Sequence, residues 1–181
     1  RLVVHYASLD QDASVFNVQN AYKEGDADFH TIVAKMADIP RIQAKTINLG
    51  LFYGMGKAKL QAELGVSKEK AEELFSVYHA RVPFVKSLMK SVSNRAQHRG
   101  QIRTLLGRLC RFPLWEPNSF GMHKALPFEQ AVQEHGPGIR RAYTYKALNK
   151  LIQGSAADMT KKSMLELYKE GIIPHIQIHD E

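Results

Sequence analysis

Cysteine is nearly absent from this chain of 181 residues, in which Cys110 is the only one. A single thiol excludes an intrachain disulfide framework and any metal site built from several cysteines, so we interpret Cys110 as a buried structural residue. No apolar run approaches the roughly 20 residues that a membrane-spanning helix needs, and no secretory signal opens the chain. Because the first residue is Arg1 and Glu181 directly follows a strand-like run, we expect both ends to belong to something longer.

Acidic residues are also fewer than basic ones: the chain has 18 Asp and Glu and 25 Lys and Arg, which gives a net charge of +7. A surplus of this sign favours a polyanionic partner such as nucleic acid, or an anionic membrane surface. On charge alone, a merely basic soluble protein fits equally well. A length of 181 residues is enough for one domain with a core, or for parts of two, and a hydrophobic content of 44% is ordinary for a globular protein.

Helical patterns dominate the chain and strand patterns are short, so we predict an α+β, mostly helical fold rather than a doubly wound sheet. Ser67 is a good N-cap, Pro83 can open a helix and Gly100 can end one. The predicted helices cover residues 13–23, 29–37, 41–54, 67–80, 83–98 and 139–170; strands are predicted at 1–6 and 172–179, a hairpin at 101–112, and a loop with a short helix at 113–138.

One helical segment carries a repeating pattern. Arg41, Lys45, Leu49 and Tyr53 recur every four residues, which places them on one face of an α-helix. Two cations near the positive end of the helix dipole suit phosphate oxygens, and the apolar and aromatic residues suit a sugar and a base. On the spacing alone, an amphipathic helix with a solvated basic rim is the favoured explanation.

An acidic pair, Asp180 and Glu181, closes the sequence after the alternating segment 172–179. Carboxylates at the tip of a strand can place oxygen ligands at a divalent cation. A solvated turn beyond a strand is the alternative, and it is the simpler explanation for an isolated pair.

Longer strings resemble those of family A DNA polymerases, the bacterial DNA polymerase I family and its phage relatives. The string from Arg41 to Met55 resembles motif B of that family, and Gln-Gly-Ser-Ala-Ala-Asp at 153–158 is a specific family string. His-Asp-Glu at 179–181 resembles motif C, and residues 1–10 resemble the tail of motif A. The strings stand in the family's order and span nearly the whole chain.

This resemblance implies a partial palm and fingers of the right-hand polymerase fold. Residues 1–30 would be a palm segment, residues 31–99 the fingers with the nucleotide-binding helix 41–54, and residues 100–181 the return to the palm. The motif A tail implies a helix where propensity favours a strand at residues 1–6.

The implied activity is the addition of deoxynucleotides to a primer 3′-OH by two-metal phosphoryl transfer. By resemblance, Asp180 ligates both Mg²⁺ ions, Glu181 supports the metal site, and a second catalytic Asp lies before Arg1. Lys45 is implied as the proton donor to the leaving pyrophosphate. The isolated 181 residues are expected to be inactive, because the palm would be incomplete.

The resemblance also implies contacts to nucleotide and DNA. Arg41, Lys45 and His30 would contact the triphosphate, and Tyr53 would lie beside the templating base. Leu49 stands where the family usually has Phe or Tyr, which puts sugar discrimination, fidelity and speed in question. The implied DNA contacts are made by Asn149 and Gln153 in the minor groove, His179 at the primer terminus and Arg108 at the template phosphates.

The expected partners are primer-template DNA and deoxynucleoside triphosphates, with no membrane and no oligomer. The expected location is the cytoplasm of a bacterial cell or a phage-infected host, and short fingers together with Leu49 favour a phage enzyme. Two alternatives stay open: a single-subunit RNA polymerase, and a non-catalytic relative that binds nucleic acid. A Glu two residues before Arg1 would favour DNA polymerase over RNA polymerase.

Overall fold

The computed structural model describes residues 1–24, 28–52, 55–119 and 121–178. Within these residues helices dominate and the strands are short, as the sequence predicts. The helices are α1 (Leu2–Leu9), α2 (Phe16–Glu24), α3 (Phe29–Ala37), α4 (Arg41–Phe52), α5 (Lys57–Leu64), α6 (Lys68–Arg81), α7 (Pro83–Arg99), α8 (Phe128–His135) and α9 (Ala147–Lys169). The strands are β1 (Gln101–Arg103), β2 (Leu109–Arg111), β3 (Leu114–Pro117), β4 (Leu126–Pro127) and β5 (Ile139–Arg141).

Helix ends follow the predicted capping residues. Ser67 Oγ accepts a 3.2 Å hydrogen bond from Lys70 N at the start of α6, and Pro83 is the first residue of α7. Gly100 ends α7 with φ +66°, in the left-handed region that glycine adopts without a steric penalty. A Cβ at this position would lie 2.6 Å from the guanidinium carbon of Arg141.

Helices α1, α7 and α9 pack together with β1. Helix α1 buries Val3, Val4 and Ala7 on one face, and α7 buries Phe84 and Leu88 among others. The helix implied by the motif A resemblance is therefore confirmed, and the strand favoured by propensity at residues 1–6 is wrong. Burial of a helical face outweighs the weak β propensity of two valines.

A second group of helices, α3 to α6, packs beside the first. Ala44 and Ile47 of α4 and Tyr78 of α6 are fully buried within this group. Helix α6 leads directly into α7 through the buried Val82. The two groups consequently share one continuous hydrophobic core.

Two small antiparallel sheets follow α7. The predicted hairpin is confirmed: β1 pairs with β2, and Ile102 lies opposite Cys110. The second sheet has the order β4-β3-β5, with Trp115 of β3 between Leu126 and Arg141. The short helix predicted within the mostly loop segment 113–138 is confirmed as α8, and the strands β3 and β4 in that segment were not predicted.

The long helix predicted at residues 139–170 begins later than expected. Residues Ile139–Arg141 form β5, a 3₁₀ turn covers Thr144–Lys146, and α9 starts at Ala147. Tyr143, which precedes the 3₁₀ turn, has φ +61°. A bulky residue in this conformation breaks a helix.

Residues 172–178 pair with no strand in the described part of the chain. The strand predicted at 172–179 is thus wrong for these residues, and Ile176 and Ile178 are exposed. An alternating pattern describes a strand only when a neighbouring strand supplies hydrogen bonds. None of the described helices combines the length and the apolar composition needed to span a bilayer.

Candidate functional site

The start of α3 is tied to the start of α4 by one carboxylate. Asp28 caps α3 by accepting hydrogen bonds from the backbone N–H groups of His30 and Thr31. Its Oδ2 also accepts from Nε of Arg41, the first residue of α4, at 2.8 Å. The Thr31 hydroxyl, with Arg41 and the His30 backbone N–H, lowers the pKa of Asp28 to about 2. The carboxylate is therefore charged at any ordinary pH and orients the Arg41 guanidinium.

Helix α4 divides into a buried face and an exposed face. Ala44, Ile47 and Asn48 are fully buried, whereas Arg41 and Lys45 are exposed. Lys45 has no ion-pair partner among the described residues. The helix thus presents two cations in succession along one edge.

A chain of buried hydrogen bonds connects α6, α4 and α3. The Tyr78 hydroxyl donates to Asn48 Oδ1 at 2.7 Å, and Asn48 Nδ2 lies 3.0 Å from His30 Nδ1. Tyr78 and Asn48 are fully buried, and His30 is partly buried. Because an amide nitrogen can only donate, His30 Nδ1 is the acceptor.

The imidazole of His30 lies in a positive environment. Burial is the main cause that lowers the pKa of His30; Arg41 and Lys45 lower it further, and Asp28 opposes them. A neutral ring that accepts at Nδ1 carries its proton on Nε2. Arg41, Lys45 and His30 therefore form a cluster of hydrogen-bond donors, a chemistry that suits an anion such as phosphate.

Two clefts flank this donor cluster. His30 lines the first, together with Arg1 of the chain start and Ile152 and Met159 of α9. Leu49 of α4 lines the second, together with Tyr145 ahead of α9. His30 and Leu49, two of the predicted nucleotide-binding residues, therefore share clefts with residues on or just before α9.

Helix α9 carries the two predicted minor-groove residues. Asn149 is partly buried and Gln153 is exposed. The same helix is anchored to the β1–β2 hairpin, because Arg108 donates from Nε to Asp158 at 2.7 Å and from Nη2 to the Gly154 carbonyl at 2.8 Å.

The anchor of α9 is completed by a second hairpin residue. The Thr104 hydroxyl donates to Asp158 and is the first cause that lowers the pKa of this carboxyl, ahead of Arg108. Ser155 adds a contact on the same face of the helix, since its hydroxyl accepts from the Leu105 backbone N–H at 3.0 Å. These bonds give Asp158 a structural role, because they fix α9 against the hairpin.

Comparison with known proteins decides the family. A profile of DNA polymerase family A matches residues 5–181. The chain belongs to DNA polymerase family A. The family inferred from the motifs is thereby confirmed.

Curated family A relatives come from phages and bacteria. A DNA-directed DNA polymerase of Pseudomonas phage M6 is 31% identical over all of this chain and 30% of its own length. DNA polymerase I of Bacillus caldotenax is 29% identical over all of this chain and 20% of its length. The chain therefore spans less than a third of these curated relatives.

A solved polymerase structure shows the same fold. It is the POL domain of Pol1 from M. smegmatis in complex with DNA primer-template and dNTP. The two structures superpose with a TM-score of 0.65 at 27% identity, over 93% of this chain and 28% of that chain. The predicted partial palm and fingers of a polymerase agree with this match.

The structure brings together part of the predicted site. His30, Arg41 and Lys45 are neighbours, Leu49 lines an adjacent cleft, and Arg108 contacts α9. Among the described residues, no group of three His, Cys, Asp or Glu side chains could hold a metal ion. The predicted residues Tyr53, His179, Asp180 and Glu181 lie outside the described residues.

Sequence reasoning missed Asn48 and Tyr78. A signal for Asn48 was present: it stands four residues after Ala44, on the apolar stripe of α4 that borders the cations, where a buried polar residue needs a partner. Tyr78 carries no such signal, since it lies 30 residues away from Asn48 in sequence.

Proposed function

We propose that this chain is the fingers and part of the palm of a DNA-directed DNA polymerase that adds deoxynucleotides to a primer 3′-OH. The observation that carries the proposal is the donor cluster of Arg41, Lys45 and His30 on the family's nucleotide-binding motif. The matched POL domain was solved with DNA primer-template and dNTP, which supports both substrates. The phage and bacterial relatives favour a bacterial cell or a phage-infected host as the setting.

The proposed nucleotide contacts follow from the exposed edge of α4. Arg41 is already oriented by Asp28, so a bound triphosphate would share its guanidinium with that carboxylate. Lys45 is exposed at the next turn, where its ammonium can neutralise phosphate charge and give a proton to the leaving pyrophosphate. Leu49 gives apolar contact to the sugar, and Tyr53 lies beside the templating base.

The proposed DNA contacts are made by α9 and its anchor. Asn149 and Gln153 are one turn apart and reach the minor-groove edge, where an amide can check pair shape without reading sequence. Arg108 uses Nε and Nη2 within the protein, which leaves Nη1 as the donor to a template phosphate. His179 is proposed to contact the primer terminus.

The proposed metal site uses Asp180, with Glu181 in support and a second carboxylate from motif A. Carboxylate oxygens are the ligands that Mg²⁺ prefers, so the donor set fits. Two bound Mg²⁺ ions would lower the charge barrier to phosphoryl transfer and align the 3′-OH with the leaving group. The palm segments are proposed as residues 1–30 and 100–181, with the fingers at residues 31–99.

Primer extension by the full-length protein tests this function. Wild-type protein should extend a primer on a DNA template with Mg²⁺ and dNTPs, and ribonucleotides should serve poorly. Lys45→Ala should reduce the single-turnover rate by two orders of magnitude or more, roughly the contribution of a general acid. Ile42→Ala is the matched control on the same helix, because Ile42 is 76% exposed, and it should retain the wild-type rate.

Extension with ribonucleotides alone would identify an RNA polymerase instead. Absence of any extension by correctly folded full-length protein would contradict the proposed catalytic function. A Lys45→Ala rate within a factor of two of wild type would refute the assignment of Lys45.

A further inference from the structure

The hydrogen-bond chain from Tyr78 through Asn48 to His30 crosses three helices and ends on a proposed phosphate ligand. We infer that Asn48, held by Tyr78, is a positioning residue that fixes His30 in the tautomer whose proton is on Nε2. That nitrogen then donates to a phosphate oxygen of the incoming nucleotide. The inference deepens the proposed function and rests on it.

The direction of the chain is set at Tyr78. Its hydroxyl is fully buried, and Asn48 Oδ1 is its hydrogen-bond acceptor among the described residues. Burial raises the pKa of Tyr78 far above its usual value, so the hydroxyl keeps its proton and donates. The buried O–H needs an acceptor and has Asn48 Oδ1 as its partner, so the amide nitrogen faces His30.

The amide nitrogen determines the state of the imidazole. Asn48 Nδ2 donates to His30 Nδ1, so Nδ1 cannot carry a proton. Since the pKa of His30 is lowered, mainly by burial, the ring is neutral above its usual pKa of about 6.5. Its one proton is therefore on Nε2, and the ring plane is fixed by the buried amide.

The buried position of Asn48 indicates what the amide contributes. Its neighbours Ala44 and Ile47 on α4 are apolar and fully buried, so an apolar residue would pack here without a hydrogen-bonding requirement. Burial of an amide costs free energy unless both of its ends are paired. Both ends of the Asn48 amide are paired, the oxygen with the Tyr78 hydroxyl and the nitrogen with the His30 imidazole.

An apolar double variant separates positioning from packing. Asn48→Leu with Tyr78→Phe in the full-length protein removes both partners, so no buried hydroxyl is left unpaired and stability should change little. The KM for dNTP should rise roughly tenfold or more, as expected for loss of a hydrogen bond to a charged group. In a His30→Ala background, the same two substitutions should add nothing further, because Asn48 acts through His30.

Several outcomes would overturn the inference. A wild-type KM for dNTP in a stably folded double variant would do so. An equal rise in KM when the two substitutions are made in the His30→Ala background would also do so. Absence of primer extension by the wild-type protein would instead count against the proposed function. The ¹⁵N chemical shifts of His30, assigned by their loss in His30→Ala, report the tautomer without any activity: protonation at Nε2 supports the inference and protonation at Nδ1 overturns it.

A second variant keeps the test open if the double variant does not fold. Asn48→Asp retains an acceptor for Tyr78 but replaces the donor to His30 with a carboxylate, which raises the pKa of the imidazole. Below that pKa the imidazolium still donates from Nε2, and above it the carboxylate holds the single proton on Nδ1. Catalytic efficiency should therefore fall with rising pH in this variant, and wild type should lack this fall.

The other charged groups around His30 are the same in the Asn48→Asp variant and in wild type. These are Asp28, Arg41, Lys45 and Arg1, with Tyr78 behind Asn48. Asn94→Asp is the matched control, because it makes the same change at an exposed position of α7. It should reproduce the wild-type pH profile, and an Asn48→Asp profile identical to it would overturn the inference.

Discussion

Replacement of Gly154 by Ala should destabilise the protein, although alanine is the better helix former. Gly154 lies inside α9, where Ala is favoured over Gly by about 1 kcal/mol. A Cβ there would lie 2.8 Å from Thr104 Cγ2 and 3.2 Å from Arg108 Nη2. The Thr104 side chain is buried and its hydroxyl is bonded to Asp158, so it cannot turn away without losing that bond.

The size of the effect follows from two destabilising contributions and one that opposes them. Overpacking of a well-packed site costs typically about 1–3 kcal/mol, and loss of a buried hydrogen bond adds about 1 kcal/mol. After the gain in helix propensity, the expected net destabilisation is about 1–3 kcal/mol. For a protein of this size or larger, that lowers the Tm by a few degrees.

Thermal unfolding of the full-length variant, followed by calorimetry or circular dichroism, measures this prediction. Gly138→Ala is the matched control, because a Cβ at Gly138 meets no atom within 4 Å, and its Tm should stay close to wild type. An unchanged or raised Tm for Gly154→Ala would refute the reasoning, since it would show that helix propensity outweighs the contact with the hairpin.

Two further predictions concern charged side chains of the site. Asp28 has a folded-state pKa of about 2, below its usual value of 3.8, so its contribution to stability is present above pH 3.8 and is lost as the pH falls towards 2. Asp28→Asn should abolish this part of the acid dependence in pH-jump unfolding measurements. An unchanged dependence would contradict the bonds that Thr31, Arg41 and the His30 backbone N–H make to the carboxylate. Arg108→Ala should lower the Tm through loss of its bonds to α9, and it should also reduce the slope of log K against log salt for DNA binding by about one. A lowered Tm with an unchanged slope would refute the proposed phosphate contact and would support only the anchoring of α9 by Arg108.

Local sequence signals predicted much of the fold because they act within a few residues. Ser67, Pro83 and Gly100 mark helix ends through their own backbone and side-chain chemistry, and the structure confirms each of them. The spacing of Arg41 and Lys45 likewise places both on one face of α4, because helix geometry alone determines which residues share a face.

Features that depend on distant partners were not predictable in the same way. Strand β3 is four residues long and forms by pairing of Trp115 with Leu126 and Arg141. No local pattern in the sequence predicts this pairing. The link between Asn48 and Tyr78 joins helices that the sequence does not show to be neighbours. In helix α1 a local signal is present but misleading, because burial of its valines against other helices overrides their local preference for a strand.

The central claim is that the exposed cations of α4 bind the triphosphate of an incoming nucleotide. A structure of the full-length protein with primer-template DNA, a non-hydrolysable dNTP and Mg²⁺ tests it most directly. The claim predicts Lys45 Nζ and the Arg41 guanidinium at about 2.7–2.9 Å from phosphate oxygens. A nucleotide bound elsewhere, with both side chains turned to solvent, would contradict it.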